Sequence, residues 1–147
     1  MSTCVAQVLE SKGATVHTVP PDATITAVLD IMTRSNIGSV VVALGDRLMG
    51  VFSERDYVRK VKPHGDVRAE TPVEKLMTSN VLTVSPTQTV EDCMSLMTDN
   101  RVRHLPVVDG GRLVGIISIG DVVKAVIAEQ EHTIRRLSSY ISGDLSG

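Results

Sequence analysis

Apolar and polar residues alternate along this chain in two rhythms, and each rhythm occurs twice. Val16-His17-Thr18-Val19 alternates and predicts a short strand closed by Pro20-Pro21. Ile25, Val28, Leu29 and Met32 follow at the spacing of one helix face, with Thr24 as N-cap and Asn36-Ile37-Gly38 as the stop. Val40-Val41-Val42 is an unbroken apolar run, as in a buried strand. Gly45-Asp46 marks a tight turn, Leu48–Phe52 pairs back, and Asp56–Val61 turns helical. Upstream, Ser2–Glu10 predicts a short helix with Val5, Val8 and Leu9 on one face, stopped by Ser11-Lys12-Gly13. Downstream of the polar loop Pro63–Asp66, Thr71-Pro72-Val73-Glu74 reads as a capping box with Pro at the first helical position. It would open a short helix through Met77.

From Val81 the pattern replays. A shift of 65 residues aligns Val16–Val61 with Val81–Val126 without a gap, and 16 of the 46 pairs are identical. The helix stripe returns as Val90, Cys93, Met94 and Met97. The repeating unit is β-α-β-β-α, too small to bury a stable core alone. Two such units are expected to pack face to face around a pseudo-two-fold axis, with two related clefts between them. The chain therefore divides into an N-terminal helical segment (1–15), repeat 1 (16–61), a connecting segment (62–80), repeat 2 (81–126) and a C-terminal helical extension with its tail (127–147). Asp121 to Ser142 contains neither Pro nor Gly, and Val122, Val123, Val126, Ile127, Ile134, Leu137 and Ile141 recur at helical spacing. A long amphipathic helix with no third repeat to cover needs a partner surface, and the expected partner is a second copy of the chain in a homodimer. The alternative is that it folds back over Val5 and Leu9.

Composition narrows the function. An apolar content of 42% is enough for a core, while the net charge of −2 and scattered Lys and Arg leave no nucleic-acid footprint. With no Trp, one Phe and two Tyr, base-stacking platforms are scarce. Cys4 and Cys93 fit no metal spacing and read as free thiols, Cys93 within the core stripe. No signal-peptide pattern and no run of membrane-spanning length is present, so a soluble, cytoplasmic protein is expected. No phosphate-binding Walker loop, metal cluster or nucleophile–base constellation supports an enzyme. The chemistry that does stand out is duplicated. Gly50-Val51-Phe52-Ser53-Glu54-Arg55-Asp56 returns as Gly115-Ile116-Ile117-Ser118-Ile119-Gly120-Asp121, a strand running into a helix start. Ser and Asp three residues apart at such a start cap the helix. The same carboxylate also suits the two hydroxyls of a ribose, and the helix start suits a phosphate. Both readings stand for each motif.

Two full copies in register resemble a pair of CBS domains, the Bateman module. The residues that carry the resemblance are Thr18-Val19-x-Pro21, Val40–Val42 and Gly50–Asp56, then Thr83-Val84-x-Pro86, His104–Asp109 and Gly115–Asp121. The resemblance implies an α/β fold of two sheets with helices on their outer faces. It also implies an adenosine-containing ligand such as AMP, ATP, NAD or S-adenosylmethionine, and regulation of a partner rather than catalysis. Carried onto this sequence, Asp56 and Asp121 would hold ribose hydroxyls, Ser53 and Ser118 would face ribose or phosphate, and Val51 and Ile116 would flank the adenine. Leu82 and Thr83 would face the cleft of Asp56, and His17 and Thr18 that of Asp121. Arg103 and His104 would meet phosphate. The first repeat has Gly38 and Ser39 at those places, with Arg55 as substitute cation, so the clefts are not equivalent. Plainer readings stand beside these. His17 also suits a packed or surface histidine, His104 a backbone hydrogen bond, and Glu54–Lys60 an exposed helix start. The expected protein is a stand-alone regulatory module that binds AMP, or ATP or NAD, and senses energy or redox state for an unidentified partner. A nucleotide-acting enzyme and a structural dimerisation domain with empty clefts are the alternatives.

Overall fold

A computed structural model describes residues 3–61 and 69–141. The loop expected at Pro63–Asp66, Ser2, and the tail from Ser142 lie outside the described residues. The elements are α1 (Val5–Lys12), β1 (Thr18–Val19), α2 (Ile25–Ser35), β2 (Ser39–Leu44), β3 (Arg47–Ser53), α3 (Glu54–Asp56), α4 (Val90–Asn100), β4 (His104–Asp109), β5 (Arg112–Ser118) and α5 (Ile119–Ile141). The mixed α/β architecture and its duplication are as expected. The chain forms two compact units. One joins Thr15–Thr83 to Val108–Val114; the other joins the chain up to Ala14, Val84–Val107 and the chain from Gly115 onward.

In the unit built on the first repeat, β1 runs parallel to β2 and β3 returns antiparallel, in the order β1-β2-β3. The apolar runs meet there as predicted. Val19, Ile25, Val28, Met32, Val40, Val42 and Phe52 form one core, and Val73 and Leu76 join it from the connecting segment. Thr24 caps α2 by accepting from the Ala27 N–H at 3.2 Å, and Asn36 ends it in the left-handed region at φ 53°. That conformation suits Asn, whose short side chain tolerates it.

β4 and β5 form a two-stranded sheet. In the other unit α4 packs against α5, and Val84, Val90, Cys93, Leu105, Val107, Ile117 and Val122 are buried. The strand expected to open the second repeat is reduced to one parallel bridge, Val84 to Val107. Pro106 explains the loss. In the first repeat the Val41 N–H donates to the His17 carbonyl at 3.1 Å. Pro106 stands at the place of Val41 and has no N–H to give.

The short helix expected through Met77 is a single 3-10 turn, Val73–Lys75, with Pro72 before it rather than inside it and no side-chain cap. The backbone around it is drawn onto the first repeat instead: Val73 N–H donates to Ala23, Glu74 N–H to Pro21, and Ile25 N–H to the Thr71 carbonyl. The N-terminal segment does the same for the second repeat. Val5 N–H donates to Gln88, Ala6 N–H to Pro86, and Val90 N–H to the Thr3 carbonyl. Val5 and Val73 are both fully buried. Residues 3–9 and 71–77 are thus a second pair of equivalent segments, each completing one repeat. The expected helix over Asp56–Val61 is a three-residue α-turn followed by a π-turn over Tyr57–Val61.

Candidate functional site

The two Gly-x-x-Ser-x-x-Asp motifs form the predicted strand-to-helix junctions, and in both the capping reading is realised. Ser53 N–H donates to Asp56 Oδ2 at 2.9 Å, and Asp56 N–H donates to Ser53 Oγ at 3.2 Å. Ser118 and Asp121 repeat the pair at 2.8 and 3.2 Å. Each reciprocal pair satisfies helix-start donors that would otherwise be orphaned. Both motif glycines are fixed by close approach. A Cβ on Gly50 would stand 2.7 Å from the Thr78 carbonyl oxygen, and one on Gly115 would stand 2.8 Å from Leu9 Cδ2.

The carboxylates differ in what else they hold. Asp56 is buried, and its second oxygen is engaged as well. Thr78 Oγ donates to Oδ1 at 2.9 Å, and Lys60 Nζ lies 3.4 Å from the same atom. Glu54 lies over Gly38, its carboxyl carbon 3.8 Å from where a Gly38 Cβ would be. A negative group therefore occupies the place in repeat 1 where repeat 2 carries Arg103. Val51 pairs with Val41 and bridges to Thr78. Arg55 is exposed on α3.

Around Asp121 the balance is cationic. Lys12, the last residue of α1, donates to Asp121 Oδ2 at 2.6 Å and to the Ile116 carbonyl at 3.0 Å. The Asp121 contacts with Ser118 and Lys12 both fall on Oδ2; the described residues place no hydrogen bond on Oδ1. Burial alone would raise the Asp121 pKa, but Lys12 and the two Ser118 hydrogen bonds outweigh it and hold the carboxyl below the ordinary 3.8. His104 joins the same group. Burial of its ring lowers its pKa, Asp121 acts in the opposite sense, and Lys12 and Arg103 add to the lowering. A histidine held below the ordinary 6.5 is mainly neutral at pH 7, so Arg103 and Lys12 are the charged groups beside it. Arg103 also fixes the junction through its backbone, its carbonyl accepting from Ile119 N–H at 2.9 Å.

The structure therefore brings Ile116, Ser118 and His104 to the Asp121 carboxylate, with Arg103 beside His104 and tied to the junction by its backbone, and Val51, Ser53 and Gly38 to the junction of Asp56. His17, Thr18, Leu82 and Thr83 are exposed, with Thr18 paired to Val41 in the sheet. Lys12, Thr78 and Lys60 were not expected at either junction. Lys12 reads in sequence only as part of a helix stop, 109 positions from Asp121. A signal for the segment carrying it does exist. Thr3-Cys4-Val5 and Thr71-Pro72-Val73 match weakly at an offset of 68, not the 65 of the main repeat.

Two related units, each with a capped Ser–Asp pair at a strand-to-helix junction, define a tandem-repeat α/β module. The sequence matches the CBS domain family over residues 11–63 and 73–128. It is similar to the CBS domain-containing protein CBSX3, mitochondrial, of Arabidopsis thaliana, at 39% identity over 97% of this chain and 73% of that protein. Among solved structures, a CBS-domain containing protein from Agrobacterium tumefaciens is 42% identical, with a TM-score of 0.78, over 84% of this chain and 98% of that one. A CBS domain protein from Pyrobaculum aerophilum, complexed with AMP, is 29% identical with a TM-score of 0.71, over 80% and 88% of the two chains. The chain belongs to the CBS-domain family, as a pair of CBS domains.

Proposed function

We propose that this CBS pair is a regulatory module whose Asp121 site binds an adenosine-containing ligand, AMP above ATP or NAD, and reports energy or redox state to a partner protein. The observation that carries the reading is the Asp121 group. One carboxylate for ribose hydroxyls stands with an adjacent helix start, the Ile116 backbone for the adenine, and Arg103 nearby for phosphate. The AMP complex of the Pyrobaculum relative supports the choice of ligand. The Asp56 site is the weaker of the two, because both its oxygens are already engaged and Glu54 repels phosphate. The module works in the cytoplasm as a homodimer and biases the activity of its partner without catalysing a reaction. Ligand binding transmits a signal only through unequal affinity for two conformations.

Titration calorimetry with AMP tests the site. Asp121→Ala is expected to weaken binding by about 1.5–3 kcal/mol, the size of hydrogen bonds to a charged group. Asp56→Ala should change affinity much less. Unchanged AMP affinity in Asp121→Ala removes the ribose assignment, and turnover of the nucleotide replaces the regulator with an enzyme.

A further inference from the structure

Lys12 occupies the atoms that the proposed ligand needs. Its ammonium lies 2.6 Å from Asp121 Oδ2, the acceptor proposed for a ribose hydroxyl, and 3.0 Å from the carbonyl of Ile116, the residue proposed to flank the adenine. A cis-diol takes both oxygens of a carboxylate, and one of them is already committed to Lys12. The two side chains are 30% and 17% exposed, so the pair is neither fully solvated nor sealed. A long, flexible stem lets the ammonium leave without unfolding the helix that carries it. At the Asp56 junction an ammonium is also present, but it comes from the turn that follows the motif itself and is held less closely: Lys60 Nζ lies 3.4 Å from Oδ1, an oxygen that already accepts from Thr78, and donates to the Leu76 and Met77 carbonyls.

We infer that Lys12 is a built-in competitor at the Asp121 site, an ammonium that a ribose-bearing ligand must displace from Asp121 and Ile116 in order to bind. This rests on the functional reading above and adds its regulation. Occupancy of the site is coupled to the C-terminal end of α1, so that binding releases a tether between α1 and α5.

Adenosine isolates the effect, since it carries the diol and the base without a phosphate that could compensate the displaced cation. Its affinity is measured by following the Ser118 and Asp121 amide resonances of the full chain during titration. Lys12→Gln should tighten adenosine binding by roughly two- to fivefold, the scale of a partly exposed ion pair. Lys12→Arg keeps a cation and should stay near wild type. In the wild type, adenosine should also shift the Lys12 ε-methylene resonance. Binding that is unchanged or weaker in Lys12→Gln, or a Lys12 resonance that stays still while Ser118 and Asp121 move, overturns the competitor and leaves the site standing. If neither adenosine nor AMP moves the Ser118 or Asp121 resonances in any of the three proteins, the functional reading itself fails, and the competitor with it.

Discussion

The two motif aspartates show how identical residues in identical junctions acquire different work. Both cap a helix, but one is saturated by Lys60 and by Thr78 of the connecting segment, and the other is held by a lysine from the N-terminal segment. The lysine has a pH consequence. The folded-state pKa of Asp121 lies below its ordinary 3.8, so in acid the unfolded chain binds a proton that the folded chain does not. The stability contributed by Asp121 is therefore fully present above that ordinary value. It is lost as pH falls through the lowered one. Lys12→Gln lacks the strongest single contact behind this contribution. Urea unfolding should show wild type more stable than Lys12→Gln at pH 6, with the gap narrowing toward pH 2. A gap that does not change with pH would mean that Lys12 stabilises through the Ile116 carbonyl or its stem, not through Asp121. Cys93 illustrates the opposite environment: fully buried, its thiol is pushed up to about 11 by burial first and Asp92 second, which makes it a core residue rather than a reactive one.

Among the elements, the repeat was legible wherever side chains alone decide the structure. The stripe Ile25–Met32 became α2, the run Val40–Val42 became the centre of β2, and Val90–Met97 became the buried face of α4. It was less legible where the backbone of a distant segment decides. The strand before Val84 fails for want of one N–H at Pro106, and 71–77 is pulled off a helical path by hydrogen bonds to residues 21–25. The site divides in the same way. Ser53, Asp56, Ser118 and Asp121 are local patterns, whereas Lys12 and Thr78 arrive through tertiary structure. The motif glycines give a test of these tertiary contacts. An added methyl at Gly50 meets the Thr78 backbone carbonyl at 2.7 Å, which cannot move without breaking the Val51–Thr78 bridge. At Gly115 the methyl meets only the tip of Leu9. Gly50→Ala should cost about 2–3 kcal/mol, as overpacking does, and Gly115→Ala under about 1 kcal/mol. Equal losses in thermal or urea unfolding would show that Leu9 is held as rigidly as the backbone.

At the scale of the whole molecule, α5 carries an exposed apolar row. Val123, Ile127, Ile134, Leu137 and Ile141 are 49–82% exposed, and they follow one another at alternating spacings of four and three residues once Gln130 is counted in the row. That spacing is the seam of a two-stranded coiled coil. Near its start the same face lines an apolar groove of about 260 Å³ with Met94, Met97 and Val122. No helix of the described residues is long and apolar enough to cross a membrane. A second copy offers the same seam in return, which is the basis for the homodimer proposed above. Ile134→Glu with Leu137→Glu should shift the mass seen by light scattering from dimer to monomer while leaving the far-ultraviolet helix signal largely in place. A double variant that stays dimeric would place the dimer contacts elsewhere.

The attachment of the N-terminal segment to the second repeat sets an order of events in folding. Thr3 meets Val90 and Glu129, and Lys12 meets Asp121, so this segment finds its partners 87 to 126 positions further along the chain. Contacts of such separation carry the entropy of closing a long loop before they return any stabilisation. During synthesis, residues 15–83 can collapse around Phe52 while α1 waits, its apolar face uncovered, for the second repeat to leave the ribosome. The segment 3–12 is thus seated only after the repeat it completes, and until then the apolar face of α1 offers itself to other chains.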